Sequence, residues 1–214
     1  MIWGWLYQES GRISELFAWH LGLSTLPVII GLLLAIPLGW LARHLGLFQA
    51  AFLGGAGLLY TIPSLALFVL LPLVLGTRIL DPLNVVVALT LYSLALLVRT
   101  VSDGLGAVPP AVLQAASAMG YRPAARFLLV ELPLAVPVIA AGLRVAVVSN
   151  VSIVSVAALV GTPQLGLLFT QGLQLHFLTP IIVGIVLCVL LAALLDGLVQ
   201  LLANRLTPWQ RKGP

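Results

Sequence analysis

Two ionisable side chains lie within otherwise apolar stretches and are the first candidates for chemistry. Arg144 lies in the hydrophobic segment 135–160, and Asp196 lies in the segment 179–202. If both segments cross a membrane as helices rising 1.5 Å per residue, both charges lie roughly 9–13 Å from the same surface. An isolated charge inside a bilayer is strongly disfavoured. We therefore expect an intramembrane ion pair, direct or through water. In the alternative, Arg144 reaches the aqueous surface and Asp196 bonds a hydroxyl or another arginine.

Other reactive residue types are not spaced for catalysis or metal binding. His20, His44 and His176 are too far apart in the sequence to share a ligand spacing, and Cys188 has no second cysteine to pair with. Neither a phosphate-binding Gly-x-x-x-x-Gly-Lys-Ser/Thr loop nor a Gly-x-Ser-x-Gly nucleophile elbow occurs. We therefore expect no metal, no cofactor and no enzymatic activity. A membrane enzyme, a membrane scaffold, and an ion channel or secondary transporter remain as alternative classes.

The composition is that of a membrane protein. Hydrophobic residues make up 61% of the 214 residues, charged residues make up 7%, and the mean hydropathy is +1.18. A soluble domain carries about 25% charged residues, so most of this surface must face lipid or apolar protein. The net charge of +4 comes with no basic run longer than Arg211-Lys212. That pattern argues against nucleic-acid binding and indicates positively charged loops on one side of a membrane.

Hydrophobic segments divide the chain into about five predicted transmembrane helices of an all-α, polytopic membrane protein. Residues 1–19 mix aromatic and charged side chains and predict an amphipathic segment in the membrane interface. Residues 161–176 predict a loop or re-entrant turn. The membrane domain is predicted over 20–203, followed by a tail over 204–214. The predicted spans are 20–42, 50–73, 84–98, 135–160 and 179–202.

The distribution of positive charge predicts the orientation of these spans. Arg12 and Arg78 fall on one side of the membrane, and seven basic residues fall on the other. Basic residues are enriched in cytoplasmic loops. We therefore expect an external N-terminus, a cytoplasmic C-terminus and a cytoplasmic loop over 99–134. The seven residues are Arg43, Arg99, Arg122, Arg126, Arg205, Arg211 and Lys212.

Two groups of polar residues interrupt the predicted spans. Thr61, Pro63 and Ser64 divide the run 50–73, and irregular backbone within a bilayer is tolerated only where it is buried in protein or lines a cavity. This group is either a plain proline kink or an element of a transport pathway. The second group either hydrogen-bonds a neighbouring helix or lines a pathway. It comprises Ser149, Asn150, Ser152 and Ser155.

The loop 99–134 predicts a helical hairpin. Residues 111–119 are uncharged helix formers, Gly120 is a helix-stop signal, and a second short helix over 123–130 starts with a proline in its first turn. The first helix is apolar, although the predicted topology places it outside the membrane. An exposed apolar helix of this kind requires a protein partner.

The hairpin resembles the EAA loop of ABC importer permeases, whose pattern is Glu-Ala-Ala, three residues, Gly, nine residues, Ile-x-Leu-Pro. The sequence has Gln114-Ala115-Ala116, then Gly120, then Val130-Glu131-Leu132-Pro133 at the same spacing. Gln114 stands where the family has Glu, and Val130 stands where it has Ile. The resemblance implies that the first helix docks on an ATPase. The residues that it assigns to this coupling are Gln114, Ala115, Ala116, Gly120, Tyr121, Val130, Leu132 and Pro133.

The resemblance covers nearly the whole chain and implies a type I ABC importer fold similar to that of the methionine permease. Such a permease lies in a bacterial or archaeal cell membrane. It works by alternating access with a second, identical or related permease, two cytosolic ATP-binding subunits and an external substrate-binding protein.

Three stretches, 60–67, 115–120 and 130–139, are most similar to osmoprotectant permeases. This similarity implies import of glycine betaine, choline or a related quaternary amine. A permease for amino acids, of the methionine type, is the alternative. One segment departs from the family: residues 161–166 read Gly-Thr-Pro-Gln-Leu-Gly, where Gly-Ala-Gly-Gly-Leu-Gly is common.

Overall fold

The computed structural model describes residues 2–209, with side chains from residue 4 onward. All regular elements in this part of the chain are helical, which confirms the predicted class. The long helices are α1 (Ile2–Ala42), α4 (Pro82–Gly106), α7 (Leu132–Val156) and α9 (Leu178–Leu206). The short helices are α2 (Gln49–Thr61), α3 (Ser64–Leu75), α5 (Pro110–Ala118), α6 (Pro123–Arg126) and α8 (Gly166–Gln174). A π turn covers Phe127–Glu131, and 3-10 turns cover Gly46–Phe48 and Ala157–Val160.

Within residues 2–209, the four helices α1, α4, α7 and α9 are long and apolar enough to cross a membrane. α2 and α3 together meet the same condition, but the chain turns by 101° between them at Ile62 and Pro63. Counting this pair as one broken span confirms the prediction of about five spans. The run predicted as 50–73 is therefore two helices with an irregular junction.

Helix α4 lies at the centre of the bundle, where it packs against α1, α2, α3 and α7. Two glycines of α1 permit the closest approach. A Cβ at Gly31 would lie 2.8 Å from Ser93 Cβ, and a Cβ at Gly39 would lie 2.6 Å from Val101 Cγ1. Small residues let membrane helices pack backbone to backbone, which supplies the dispersion contacts that hold them together. The resulting core of α1, α4 and α7 supports the loop between α4 and α7 at one end.

Residues 1–19 are not a separate element, because α1 runs from Ile2 to Ala42 without a break; their position in the membrane interface stays a prediction. The segment packs against the C-terminal part of the chain, where Leu16 is buried in a cluster with Leu165 and Leu168. Burial of this face continues the helix, although charged residues occupy its other face. Local composition indicates a separate surface segment, whereas the tertiary contact continues the helix through residues 2–19.

Two further predicted boundaries differ for the same reason. α4 continues to Gly106, so residues 99–106 extend a span rather than forming a loop, and Val101 and Leu105 are buried in the core. The segment 161–176 contains α8, which packs against α9. The remaining predicted ends lie within a few residues of the helix ends.

Candidate coupling hairpin and intramembrane polar sites

The segment between α4 and α7 forms a helical hairpin. α5 ends at Ala118, and Gly120 follows with φ +84°, in the left-handed region where a side chain would be strained. α6 then starts with Pro123 in its first turn. The helix–Gly–helix arrangement predicted from the sequence is confirmed. Its second helix ends at Arg126 rather than at residue 130, because a π turn takes over.

α5 presents most of its surface to the outside of the chain. Ala116 is 1% exposed and packs within the hairpin, whereas Gln114 and Ala115 are exposed. Large side chains beside them, Met119 at 71% and Tyr121 at 39%, are also uncovered in the described part of the chain. An uncharged, apolar helix exposed on a polar loop has the character of a surface that another protein covers.

Arg126 ties the two arms of the hairpin to the start of α7. Its Nη1 donates to Ser117 Oγ at 2.9 Å, and its Nε donates to Glu131 Oε1 at 2.8 Å. Glu131 is 8% exposed, and Arg126 is the cation that balances its carboxylate. We call Arg126, Ser117 and Glu131 the hairpin clamp. The sequence indicates Arg126 only as a positively charged loop residue, because its separation from Ser117 matches no helical period that would predict their contact.

The remaining motif residues lie at the junction with α7. Val130 is half-buried within the π turn, and Leu132 packs against the core. Pro133 follows the π turn within the first turn of α7, and because it has no N–H to donate to the preceding turn, it interrupts the backbone hydrogen bonds where the π turn passes into α7. Because α6, the π turn and α7 follow one another without a gap, one helical run of 38 residues, Pro123–Val160, joins the hairpin to the opposite end of the span. A displacement of the hairpin would therefore be transmitted along this run.

Arg144 and Asp196 lie side by side on the outer face of α7 and α9. Arg144 Nε donates to Asp196 Oδ1 at 2.6 Å, and Nη2 donates to Oδ2 at 2.7 Å, which makes the pair bidentate. Arg144 lies at the middle of α7, about 18 Å from either end of the helix. The side chains remain 40% and 28% exposed. They border an open hollow of about 410 Å³ together with Ala141, Val145, Val148 and Ser149.

The polar group of α7 divides between the helix interface and this hollow. Asn150 is buried and donates to Ser93 Oγ of α4 at 3.1 Å and to Ser24 O of α1 at 3.4 Å. Ser149 borders the hollow, and Ser152 is exposed. Asn150 therefore takes part in helix packing, whereas Ser149 and Ser152 make no hydrogen bond to α1 or α4 among the residues that the structure describes, and their place in a pathway stays a prediction.

The junction between α2 and α3 is exposed and held by a tyrosine. Thr61 and Pro63 are exposed, and Ser64 is partly buried. The Ile62 carbonyl, freed by the break, accepts a hydrogen bond from the Tyr92 hydroxyl of α4. A turn of 101° is too large for a proline kink within one helix. Since no residue of α2 is buried, this irregular element needs a cavity or a partner beside it.

A buried polar network near the far end of α7 was not predicted. His20 of α1 is fully buried, with Nδ1 3.2 Å from Gln164 Oε1 and Nε2 3.0 Å from Val151 O. Gln164 Nε2 donates to Ser155 O at 3.3 Å, and its Oε1 accepts from Gly166 N at 2.5 Å. The Ser155 hydroxyl bonds the Val151 carbonyl of its own helix at 3.5 Å. The network fastens α1 and the segment before α8 to α7. The sequence feature that could have indicated this network is the occurrence of His20 and Gln164 among apolar residues.

Metal binding has no candidate site in the described part of the chain. Between residues 2 and 209, no three His, Cys, Asp or Glu side chains are grouped so as to hold a metal ion.

The chain matches a known family over most of its length. Residues 13–208 match the family model described as binding-protein-dependent transport system inner membrane component. The chain is 38% identical, over 95% of its length and 96% of the relative's, to the osmoprotectant import permease protein OsmW of Salmonella typhimurium. It is 32% identical, over 96% of its length and 89% of the relative's, to the glycine betaine/carnitine/choline transport system permease protein OpuCD of Bacillus subtilis.

A solved structure has the same fold. An inward-facing conformation of the MetNI methionine ABC transporter superposes with a TM-score of 0.81, covering 94% of this chain and 98% of that chain at 20% identity. At that identity the likeness shows the fold alone, and it confirms the predicted similarity to the methionine permease. The chain therefore belongs to the family of binding-protein-dependent transport system inner membrane components, as a multi-pass membrane permease subunit of an ABC importer.

Proposed function

We propose that this permease imports a small quaternary amine, such as glycine betaine or choline, with the hairpin as its contact to a cytosolic ATPase. The observation that carries the ATPase contact is α5, an exposed and uncharged helix that the clamp ties to the long helical run Pro123–Val160. The complex has two permease subunits, two ATP-binding subunits and an external binding protein. The permease itself hydrolyses nothing. Its N-terminus lies outside the cell and its C-terminus in the cytosol, as the charge of the loops favours.

The clamp supplies the route by which ATP binding reaches the membrane. When the ATPase subunits close on ATP, the surface that holds α5 moves, and α5 moves with it. Arg126 joins α5 to Glu131 and keeps the hairpin from flexing, so the displacement reaches α7. At the far end, the His20–Gln164 network ties α7 to α1 and to the segment before α8. One rigid displacement can thus open one end of a pathway while it closes the other, as alternating access requires.

Sequence similarity, rather than a binding site within the chain, supports the substrate class. The relatives at 38% and 32% identity are named for osmoprotectants and for glycine betaine, carnitine and choline. The methionine transporter is 20% identical, which is a likeness of fold. The sequence comparisons therefore favour the quaternary-amine class, and the fold does not distinguish between the two classes.

Reconstitution tests the proposal directly. The permease is assembled in proteoliposomes with the ATPase and the binding protein encoded beside it, and uptake of labelled glycine betaine, choline and methionine is measured with and without ATP. We expect ATP-dependent uptake of a quaternary amine and none of methionine. Uptake of methionine alone would move the chain to the amino-acid class. Uptake that needs no ATPase subunit would contradict the importer mechanism.

A further inference from the structure

Arg144 and Asp196 bond to each other on one side, and their remaining hydrogen-bonding groups face a hollow. Its two hydrogen bonds engage Nε and Nη2 of Arg144, and Nη1 bonds to no residue between 2 and 209. Both side chains stay partly exposed. They face the hollow of about 410 Å³, in which Ser149 is the other polar lining residue. The pair therefore has hydrogen-bonding capacity directed at something other than the described chain.

Contact with lipid would be unfavourable for the hydrogen-bonding groups of this pair that have no partner in the described chain. Arg144 lies about 18 Å from either end of α7, and its guanidinium is held by Asp196 rather than extended towards a helix end. Polar groups without partners are strongly disfavoured in hydrocarbon, and ionisable residues within spans face the bundle interior or a water-filled cavity. The interior side of α7 is already filled by buried residues such as Ala146, Val147 and Asn150. In a complex of two permease subunits, the hollow therefore faces the second subunit or an aqueous pathway between the subunits rather than hydrocarbon.

We propose that the hollow is a contact point for the transported solute, where a zwitterion exchanges partners with Arg144 and Asp196. The carboxylate of the solute takes the bidentate position on the guanidinium, whose planar fork matches it. The cationic group of the solute takes Asp196, and Ser149 offers its hydroxyl to the carboxylate. Charge stays balanced, since one ion pair becomes two. This inference rests on the proposed function, in which the chain carries a small charged solute.

The exchange predicts a preference among solutes that share a quaternary ammonium group. A zwitterion such as glycine betaine satisfies both charges of the pair. A pure cation such as choline pairs only with Asp196 and leaves Arg144 without a counter-charge at the membrane centre, which is unfavourable. The site therefore favours solutes that carry a carboxylate.

Charge-neutral variants test this preference. Arg144→Gln combined with Asp196→Asn removes both charges but keeps hydrogen-bonding side chains, so the helices should still pack. With loaded binding protein at saturation, the ratio of glycine betaine to choline uptake should fall about tenfold, the scale of one charge-assisted hydrogen bond. The matched control is Arg99→Gln with Asp103→Asn, an exposed pair on α4 at 3.9 Å, which should keep the ratio of the parent chain. An unchanged ratio in the Arg144 and Asp196 variant overturns the proposal.

Cysteine labelling tests the environment of the hollow without a selectivity measurement. Ser149→Cys is placed in a Cys188→Ala background, and the assembled complex is treated with a charged thiol reagent that does not enter hydrocarbon. We expect labelling at residue 149, slowed several-fold by the transported zwitterion. Leu33→Cys, 65% exposed on α1, is the control and should remain unlabelled. Absence of labelling at residue 149, or labelling that the solute does not slow, overturns the proposal.

Failure of this inference and failure of the proposed function give different results. If the parent complex imports methionine and no quaternary amine, the proposed substrate is wrong. The site is then tested with methionine, also a zwitterion, against its methyl ester, which lacks the carboxylate. If the parent complex imports glycine betaine and the charge-neutral variant keeps the ratio of the parent, the proposed function stands and the site is wrong.

Discussion

The helical run Pro123–Val160 contributes to two ion pairs, which differ in how many of their hydrogen-bonding groups have partners within the chain. In the hairpin clamp, Glu131 is 8% exposed, and Arg126 divides its donors between that carboxylate and Ser117. At the middle of α7, Arg144 and Asp196 are bonded to each other and face an open hollow. The first pair fixes two elements relative to each other, whereas the second leaves charge available to a molecule outside the chain. The run Pro123–Val160 thus carries an ion pair with a further bond to Ser117 at its hairpin end and a partly exposed ion pair near its middle.

The largest effect is expected from deforming the hairpin itself. Gly120→Val puts a β-branched residue at φ +84°, and Ala116→Glu puts a carboxylate at a position that is 1% exposed. Each variant should lose all measurable uptake and its copurifying ATPase while still inserting into the membrane, because the long helices are untouched. Transport assays and copurification measure both effects.

The control for these variants is Gly11→Val, since a Cβ at Gly11 meets nothing within 4 Å. It should transport normally. Normal transport and normal ATPase copurification in both hairpin variants would show that α5 is not the ATPase contact.

Removing the clamp without reshaping α5 should have a smaller effect. Arg126→Ala leaves Glu131 without its counter-charge, so the hairpin loosens and uptake should fall about tenfold while the ATPase remains bound. The measurement is solute imported per ATP hydrolysed. Arg122→Ala is the matched control, since Arg122 is exposed and its side chain bonds to no described residue. Equal coupling in the two variants would remove the clamp from the route between ATPase and membrane.

Beyond its effect on selectivity, removal of one charge of the open pair should lower the thermal stability of the permease. Asp196→Ala leaves Arg144 uncompensated at the middle of the span. It should lower the unfolding temperature in nanodiscs by a few degrees more than the double variant Asp196→Ala with Arg144→Ala does. A double variant that unfolds at a lower temperature than Asp196→Ala would mean that the pair is chiefly a structural contact, like the clamp.

The smallest effect is expected in the helix packing that supports both pairs. Asn150→Ala removes the bonds to Ser93 Oγ and Ser24 O. It should lower the free energy of unfolding by about 0.6 kcal/mol, a typical value for a hydrogen bond between membrane helices. Ser152→Ala, on the exposed face of the same helix, should leave the free energy of unfolding unchanged. Equal decreases in the free energy of unfolding for the two variants would contradict the conclusion that Asn150, and not Ser152, bonds the neighbouring helices.

Much of the fold was predictable because a bilayer imposes simple rules on a chain. Segment length and hydropathy indicated the long helices, a proline indicated the break at Ile62 and Pro63, and Gly120 indicated the hairpin turn. The start of α1 was not predictable by these rules. Charges within residues 1–19 indicate a surface segment, whereas burial of Leu16 against α8 and its flanking segment extends the helix.

The polar sites were predictable only where a residue conflicts with its surroundings. Arg144 and Asp196 could be singled out because charges in apolar segments have few available partners. The bond from Arg126 to Ser117 and the contact between His20 and Gln164 join residues whose spacing follows no helical period. Such contacts depend on how whole elements pack, so the sequence pattern alone does not indicate them.

Cross-linking from α5 tests most directly whether the hairpin is the ATPase contact. A photoactivatable thiol reagent is attached to Gln114→Cys in a Cys188→Ala background, and the reconstituted complex is irradiated with and without ATP. The matched control is Ser10→Cys, exposed near the N-terminus and expected on the external side. We expect a covalent permease–ATPase product from residue 114, with a yield that changes on ATP binding, and none from residue 10. No ATPase product from residue 114, or equal products from both positions, would contradict the account.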